Sequence, residues 1–346
     1  MRNLIVIFLF LFPPQSLYFP AQDNAKTDKL FRAAKKGDKE AIRKLAVNGD
    51  IKSFKKLFIK GFLKPDSEEA AVALEGASYW GELGLIKFLL DQGVDPNGDK
   101  KHHIPLISAS SNGPGGNFWA DTGPEEGWPE AAALLLDHGA DIHIRDIFGE
   151  TALQIAARKG FMKVTLLLLK RGADFNARFE DGRPIAWQLV SYGNFEGLKF
   201  VLERGYDIYQ ATWNGETMLL EASQKGQASI VDLLLDHSIP IKPSKNNYTL
   251  ITEAAYRGHI DVVQVLLEHG EDINVSESNG ETALLSAVRG SRVETVIYLL
   301  EHGANANIQN NEGITPLLLA ERNKEYAGEE AERIIELLIQ YGAENH

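Results

Sequence analysis

Between Gly149 and Asp181 the apolar positions fall into two short helical rows. Leu153, Ile155, Ala156 and Ala157 form the first, with small residues on one side, and Gly160 ends it. Val164, Leu167 and Leu168 form the second at helical spacing, over about Met162 to Lys170. Thr151 stands where a helix N-cap belongs, and its hydroxyl can accept from a free backbone N–H. Gly172 suits the left-handed residue that follows a helix. Ala173-Asp174-Phe175-Asn176 is then a short extended run, with turn residues near Asp181-Gly182. Two such helices and a protruding turn cannot bury their apolar faces alone; stacked copies can, and about three or more are needed.

Copies are present. Gly149, Gly182, Gly215, Asn247, Gly280 and Gly313 occupy one aligned position, at steps of 33, 33, 32, 33 and 33 residues. A second string, Leu-Leu-x-x-Gly-x-Asp, ends the units at Gly139, Gly172, Gly205, Ser238, Gly270, Gly303 and Gly342. Such a period predicts a stack of units without a single globular core, and it favours recognition of a partner over a buried catalytic cleft.

The strings Thr151-Ala152-Leu153-Gln154-Ile155-Ala156, Thr282-Ala283-Leu284-Leu285-Ser286-Ala287 and Thr315-Pro316-Leu317-Leu318-Leu319-Ala320 match the Thr-Pro-Leu-His-x-Ala core of a known repeat. With the 33-residue period they resemble the ankyrin repeat family, in an exported, bacterial-type form. The resemblance is strong over 130–346 and weaker over 66–129. It implies an all-α ankyrin-repeat solenoid of about eight helix-turn-helix units, with short β-hairpin-like fingers. The family's His is missing from all three strings, which leaves the bond it makes between neighbouring units without its usual donor.

Three stretches break the pattern. Counted from His102, the closing Gly139 comes 14 residues late, and the excess lies in a loop at 112–130 that carries Trp119 and Trp128. Long loops of this kind are usually functional or disordered, and two Trp argue against disorder. The last unit overruns at Lys324–Glu330. Upstream, Gly37, Gly49 and Gly61 stand 12 residues apart. There the sequence reads as three short basic helices, either a cap on the array or divergent repeats, over 26–64. The array proper spans 65–346.

Charge sharpens this division. The chain carries −12 overall, which argues against general nucleic-acid binding. Residues 26–64 nevertheless hold 13 Lys and Arg against 4 Asp and Glu, a balance of +9, so the body is strongly acidic. The basic end allows a weak contact with an anionic surface. There are no cysteines, so disulfides and thiolate metal sites are excluded. Met1-Arg2-Asn3 followed by nine apolar residues, Leu4 to Phe12, has the size of a signal-peptide core and is too short to cross a bilayer as a helix. Export is expected, periplasmic or secreted, with cleavage within 16–25 and residues 1–25 as the signal. An uncleaved membrane-associated N-terminus is the alternative.

Candidate chemistry is sparse. Asp95-Pro96-Asn97-Gly98-Asp99 opens like a calcium loop, but its twelfth position is Leu106 in place of Glu. His138, His237, His269 and His302 each precede a closing residue and suit helix C-termini. No nucleophile elbow, phosphate-cradling loop or His-Glu-x-x-His string occurs, so no catalytic residue, cofactor or metal is nominated. The expected function is non-catalytic protein binding by a monomer. A host-directed effector, or an enzyme or ligand-binding protein built on the 112–130 loop, are the rivals.

In proteins of this resemblance, contacts come from finger tips and from the exposed ends of the first helices. Those positions here hold Phe148, Arg158, Arg183, Tyr192, Trp213, Tyr248, Tyr256 and Arg257. Aromatic and Arg side chains most often carry interface energy, and an aromatic stripe left in water costs solubility. These eight residues form the expected partner-binding face, centred on the units at Gly149 to Asn247. Trp119 and Trp128 are expected as contacts of the loop.

Overall fold

A computed structural model describes residues 24–111, 128–208, 217–239, 241 and 249–344. Trp119, Trp213 and Tyr248 lie outside the described residues. Among the described residues there are eighteen α-helices and no strand, only isolated bridges at Arg145–Thr151, Arg178–Pro184 and Ser276–Thr282 at the bases of three fingers.

The basic end forms α1 (Asn24–Ala34), α2 (Lys39–Val47) and α3 (Ile51–Ile59). Helix pairs follow: α4 (Glu68–Trp80) with α5 (Leu83–Asp91), α6 (Pro105–Ser111) with α7 (Pro129–Asp137), and α8 (Ala152–Lys159) with α9 (Met162–Lys170). Next come α10 (Ile185–Ser191) with α11 (Phe195–Glu203), α12 (Met218–Gln224) with α13 (Ala228–Asp236), α14 (Leu250–Arg257) with α15 (Ile260–Glu268), and α16 (Ala283–Arg289) with α17 (Val293–Glu301). α18 (Pro316–Gln340) is one more pair joined at Gly328, whose φ of 50° and ψ of −121° break the helix where the last unit overruns.

First helices pack on first helices, from α2 through α4, α6 and onward to α18; second helices form the other layer, and α1 covers α2. The register upstream of residue 66, open in the sequence, is thus a further helix pair, α2 with α3, under a single covering helix. The small-residue column explains the close stacking of the first layer. Ala156, Ala222, Ala254, Ala287 and Ala320 hold one aligned place and are all buried. In the second layer the first residue of each Leu-Leu pair is sealed, as at Leu89, Leu135, Leu168, Leu234, Leu266 and Leu299.

Capping fixes where the helices start. The hydroxyls of Thr151, Thr217, Thr249, Thr282 and Thr315 each accept a backbone N–H three residues on, which satisfies one of the orphan donors of a first turn. At the end of the units, Gly172 and Gly303 take φ of 94° and 93°, while Ser238 is forced to 60° in the same place. A side chain there meets the left-handed penalty of about 1 kcal/mol or more.

Neighbouring units are bonded although the expected His is missing. Gln154 stands at that position; its Nε2 donates to Arg178 O at 2.8 Å in the next finger, and its Oε1 accepts from Thr151 N. A second set of bonds recurs at the turn between the two helices in five of the units. Trp128 Nε1 donates to Tyr79 O at 3.0 Å, Tyr192 Oη to Arg158 O at 2.9 Å, Arg292 Nε to Tyr256 O at 3.0 Å, and Asn323 Nδ2 to Val288 O at 3.0 Å. His259 Nε2 lies 3.0 Å from Gln224 O in the same arrangement. Every acceptor is the carbonyl two residues before a turn glycine: Gly81, Gly160, Gly258, Gly290 and Gly226. These are last-turn carbonyls, which a helix leaves short of internal partners; Val288 O also accepts Ser291 N at 3.0 Å. Three of those glycines also make room for the donor, Gly226 among them, where a Cβ would sit 2.7 Å from the His259 ring. A Cβ on Gly81 would sit 2.4 Å from the Trp128 ring, and one on Gly160 2.6 Å from the Tyr192 ring.

Candidate partner-binding face

Among the described residues of the central units, the finger before α8 presents the most exposed apolar pair. Asp146 Oδ1 accepts from Phe148 N and Glu150 N, both at 2.9 Å, and Arg145 Nη1 donates to Gly149 O at 2.6 Å. This closed turn holds Ile147 and Phe148 outward, 68% and 70% exposed. Nothing in the local bonding requires large apolar side chains there; the turn is made by Asp146, Arg145 and the backbone.

Along the ends of the first helices the expected residues divide. Tyr256 is 45% exposed, and its backbone carbonyl is engaged by Arg292. Tyr192 is equally half-open, but its ring covers Gly160 and its hydroxyl ties α10 to α8. The three arginines are held by carboxylates of their own units. Arg158 makes two bonds to Glu150, at 3.2 and 2.7 Å. Arg183 Nε meets Asp181 Oδ2 at 2.6 Å, and Arg257 Nε meets Glu253 Oε1 at 2.8 Å. Arg289 and the buried Glu281 repeat the Arg158–Glu150 geometry further along the array, at 3.1 and 3.0 Å. Such clamps set the guanidinium planes in fixed orientations and neutralise the carboxylates that the acidic body would otherwise present. They also lower what each Arg can offer a partner, because part of its fork is already used.

Trp128 is placed differently from its expectation as a contact of the loop. It is the N-cap residue of α7, its ring lies on Gly81, and its N–H is spent on Tyr79 O. The structure therefore gives it an internal task, sealing α7 against α4.

Several other ionisable residues make bonds within the fold. Asp99 Oδ1 accepts the backbone N–H groups of Lys101, His102 and His103, at 2.8 to 2.9 Å. Burial pushes its carboxyl up, but these bonds together hold it below the usual range. Asn97 Oδ1 accepts Asp141 N of the following finger at 2.7 Å. The stretch with the calcium-loop opening is thus a finger turn that bonds to its neighbour. His103 Nδ1 lies 3.0 Å from Glu75 Oε2, and this bond raises the imidazole against the effect of its burial. His138, His237, His269 and His302 are the C-cap residues of α7, α13, α15 and α17, and the His138 and His302 rings reach carbonyls of their own helices at 2.8 and 2.7 Å.

The family model for ankyrin repeats (3 copies) matches residues 125–212, 185–277 and 270–346, well over half of the chain. The chain belongs to the ankyrin repeat family. Its fold is an all-α ankyrin-repeat solenoid, and ankyrin repeats are in general non-catalytic modules for protein interaction. Individual relatives share part of the array only. A fem-1 homolog A-like protein of Mus musculus is 31% identical over 102 residues, covering 30% of this chain and 15% of the relative. The mouse B-cell lymphoma 3 protein homolog is 30% identical over 112 residues, 31% of this chain and 25% of the relative. Delta-latroinsectotoxin-Lt1a of Latrodectus tredecimguttatus is 36% identical over 111 residues, 31% of this chain and 9% of the relative. The matched stretch thus spans a quarter or less of each of these relatives.

Two features of the array were not anticipated from the sequence. One is the Glu–Arg clamp, which joins residues eight apart at Glu150–Arg158 and again at Glu281–Arg289, a recurrence that could have been found by aligning the units. The other is Glu271. The residue after each closing position is Ala140, Ala173, Tyr206, Ile239, Ala304 or Ala343 elsewhere, and a carboxylate stands alone in that apolar column.

Proposed function

We propose that the ankyrin array is a non-catalytic scaffold that takes a protein partner on its concave face, centred on the units at Gly149 through Asn247. The observation that carries this reading is the Ile147–Phe148 finger tip, two large apolar side chains held in water by a turn that does not need them. Tyr256, 45% exposed near the end of α14, extends the surface into a later unit. Aromatic anchors of this kind dominate interface energy, while the clamped Arg158, Arg183 and Arg257 supply fixed polar rims.

The test is capture of a cross-linked partner by the full chain and by a Phe148→Ala/Tyr256→Ala variant. Phe148 is largely and Tyr256 about half in water, so the variant should melt close to the parent and lose at least about tenfold in capture. Equal recovery of the same partner by both proteins would remove the proposal. Export through the Leu4–Phe12 segment is proposed with it, on the length of that apolar run and its basic start. An N-terminus at Met1 on the chain isolated from its native cell would contradict cleavage there.

A further inference from the structure

We propose that the basic end of the array docks on an anionic lipid surface through α3 and the turn that follows it. The buried side of α3 is made by Ser53, Phe54 and Leu57, which face the stack. The opposite side carries Lys52, Lys56, Ile59 and Lys60 at helical spacing, all exposed. Lys55 flanks this row, and Phe62 and Lys64 extend it beyond Gly61. Between Ile51 and Pro65 there are five lysines and no acidic residue. Among the described residues none of the five has a carboxylate within 4.0 Å, whereas Lys39, Arg43 and Lys44 nearby are all paired.

The apolar component is as marked as the charge. Ile59 is 84% exposed and Phe62 is 44% exposed, at the end of a solenoid where a polar outer face is required for solubility. The Phe62 ring is further dressed by Lys35, whose Nζ lies 4.6 Å from its centroid. Protruding apolar side chains ringed by lysines form the pattern that enters the boundary between headgroups and acyl chains, with ammonium groups left at the phosphates.

The choice of lipid over an acidic protein rests on the kind of cation. All five charges are lysines, point charges on flexible stems, and none is the planar fork that matches a carboxylate in two bonds. All five are exposed on the first helix pair, within reach of a plane of phosphates. The rest of the chain carries a large negative charge, so an anionic surface orients the molecule with this end down and the acidic array away. The partner-binding face described above then projects from the membrane.

The experiment is co-sedimentation of the full chain with phosphatidylcholine vesicles and with vesicles containing about a third phosphatidylglycerol, at low and high salt. The Leu4–Phe12 run would add equally to both lipids, so the reading is the difference between them. Binding to the anionic vesicles should exceed that to neutral ones by at least about a hundredfold and fall steeply with salt. Changing Lys52→Gln, Lys60→Gln and Lys64→Gln together should remove about a hundredfold, at about fivefold per lysine. An Ile59→Ser/Phe62→Ser variant should lose about tenfold with an unchanged salt dependence. All these side chains are exposed, and circular dichroism confirms that the helices are intact in both variants. Equal binding to the two lipids, or a triple variant that binds like the parent, overturns the proposal. So does lipid-free self-association that the lysine changes abolish, which would assign the surface to the acidic body of a second copy.

Discussion

Replacing Glu271 by alanine should stabilise the protein by up to about 3 kcal/mol near pH 8 and by almost nothing near pH 4. The residue occupies the place after the closing Gly270, where the other units put apolar side chains. No donor reaches its Oε2 among the described residues, and that atom is out of water. Burial pushes its carboxyl up to about 7 from the ordinary 4.5. The fold therefore holds Glu271 in its neutral form, and ionisation has to be forced on a group that lacks a partner.

The direction with pH follows from proton counting. Below pH 4.5 both folded and unfolded chains carry the proton, and the residue costs no electrostatic stability. Between 4.5 and about 7 the unfolded chain releases its proton while the folded one keeps it, so stability falls as pH rises. Above about 7 the loss is complete and constant. Other groups titrate as well: Glu82 and Glu277 are raised chiefly by burial, His103 by its bond to Glu75, and Asp99 is lowered. They are shared by parent and variant and cancel in the difference between two urea titrations run across the range. Parallel pH profiles for the parent and Glu271→Ala would show that the carboxylate is solvated and the assignment wrong.

Why was this residue invisible in the sequence when so much of the stack was legible? Period, N-cap threonines and closing glycines are local and recur with the same residue type, so alignment of the units exposes them. Glu271 is anomalous only as a member of a column, and the two residues that follow, Asp272 and Ile273, keep the unit's ending intact. The ladder of bonds between turns is hidden for the opposite reason. Its donors are Trp128, Tyr192, His259, Arg292 and Asn323, which share an N–H or O–H and a reach but no residue type. What recurs is the acceptor, a backbone carbonyl, and a sequence does not display carbonyls. The same holds at Gln154, which stands in for a missing His because an amide can both donate to Arg178 O and return a bond to Thr151. On the candidate face, exposure of Phe148 and Tyr256 followed from their place in the unit. That Arg158, Arg183 and Arg257 would be clamped needed the geometry, since each carboxylate sits at a different offset: eight residues before, two before and four before.

The distinction between an aromatic that holds the array and one that serves a partner can be measured directly. Trp128→Ala should cost about 2–3 kcal/mol, because it removes a half-buried ring from α4 and leaves Tyr79 O without its donor. Hydrogen exchange should quicken in α4 through α7, since units in a solenoid are stabilised by their neighbours. Gly81→Ala supplies the control. It places a Cβ 2.4 Å from the ring and asks alanine to hold φ of 70°, so in the parent it should cost more than the left-handed penalty alone. In the Trp128→Ala background the ring is gone and only that penalty, about 1–2 kcal/mol, remains. The two changes should therefore be strongly non-additive in a double-mutant cycle. Simple additivity would mean that the ring does not rest on Gly81 and would return Trp128 to the partner contacts. Phe148→Ala should behave in the opposite way, with an unchanged melt and a lost partner, because a side chain 70% exposed on a turn closed by Asp146 has little folding energy to give up.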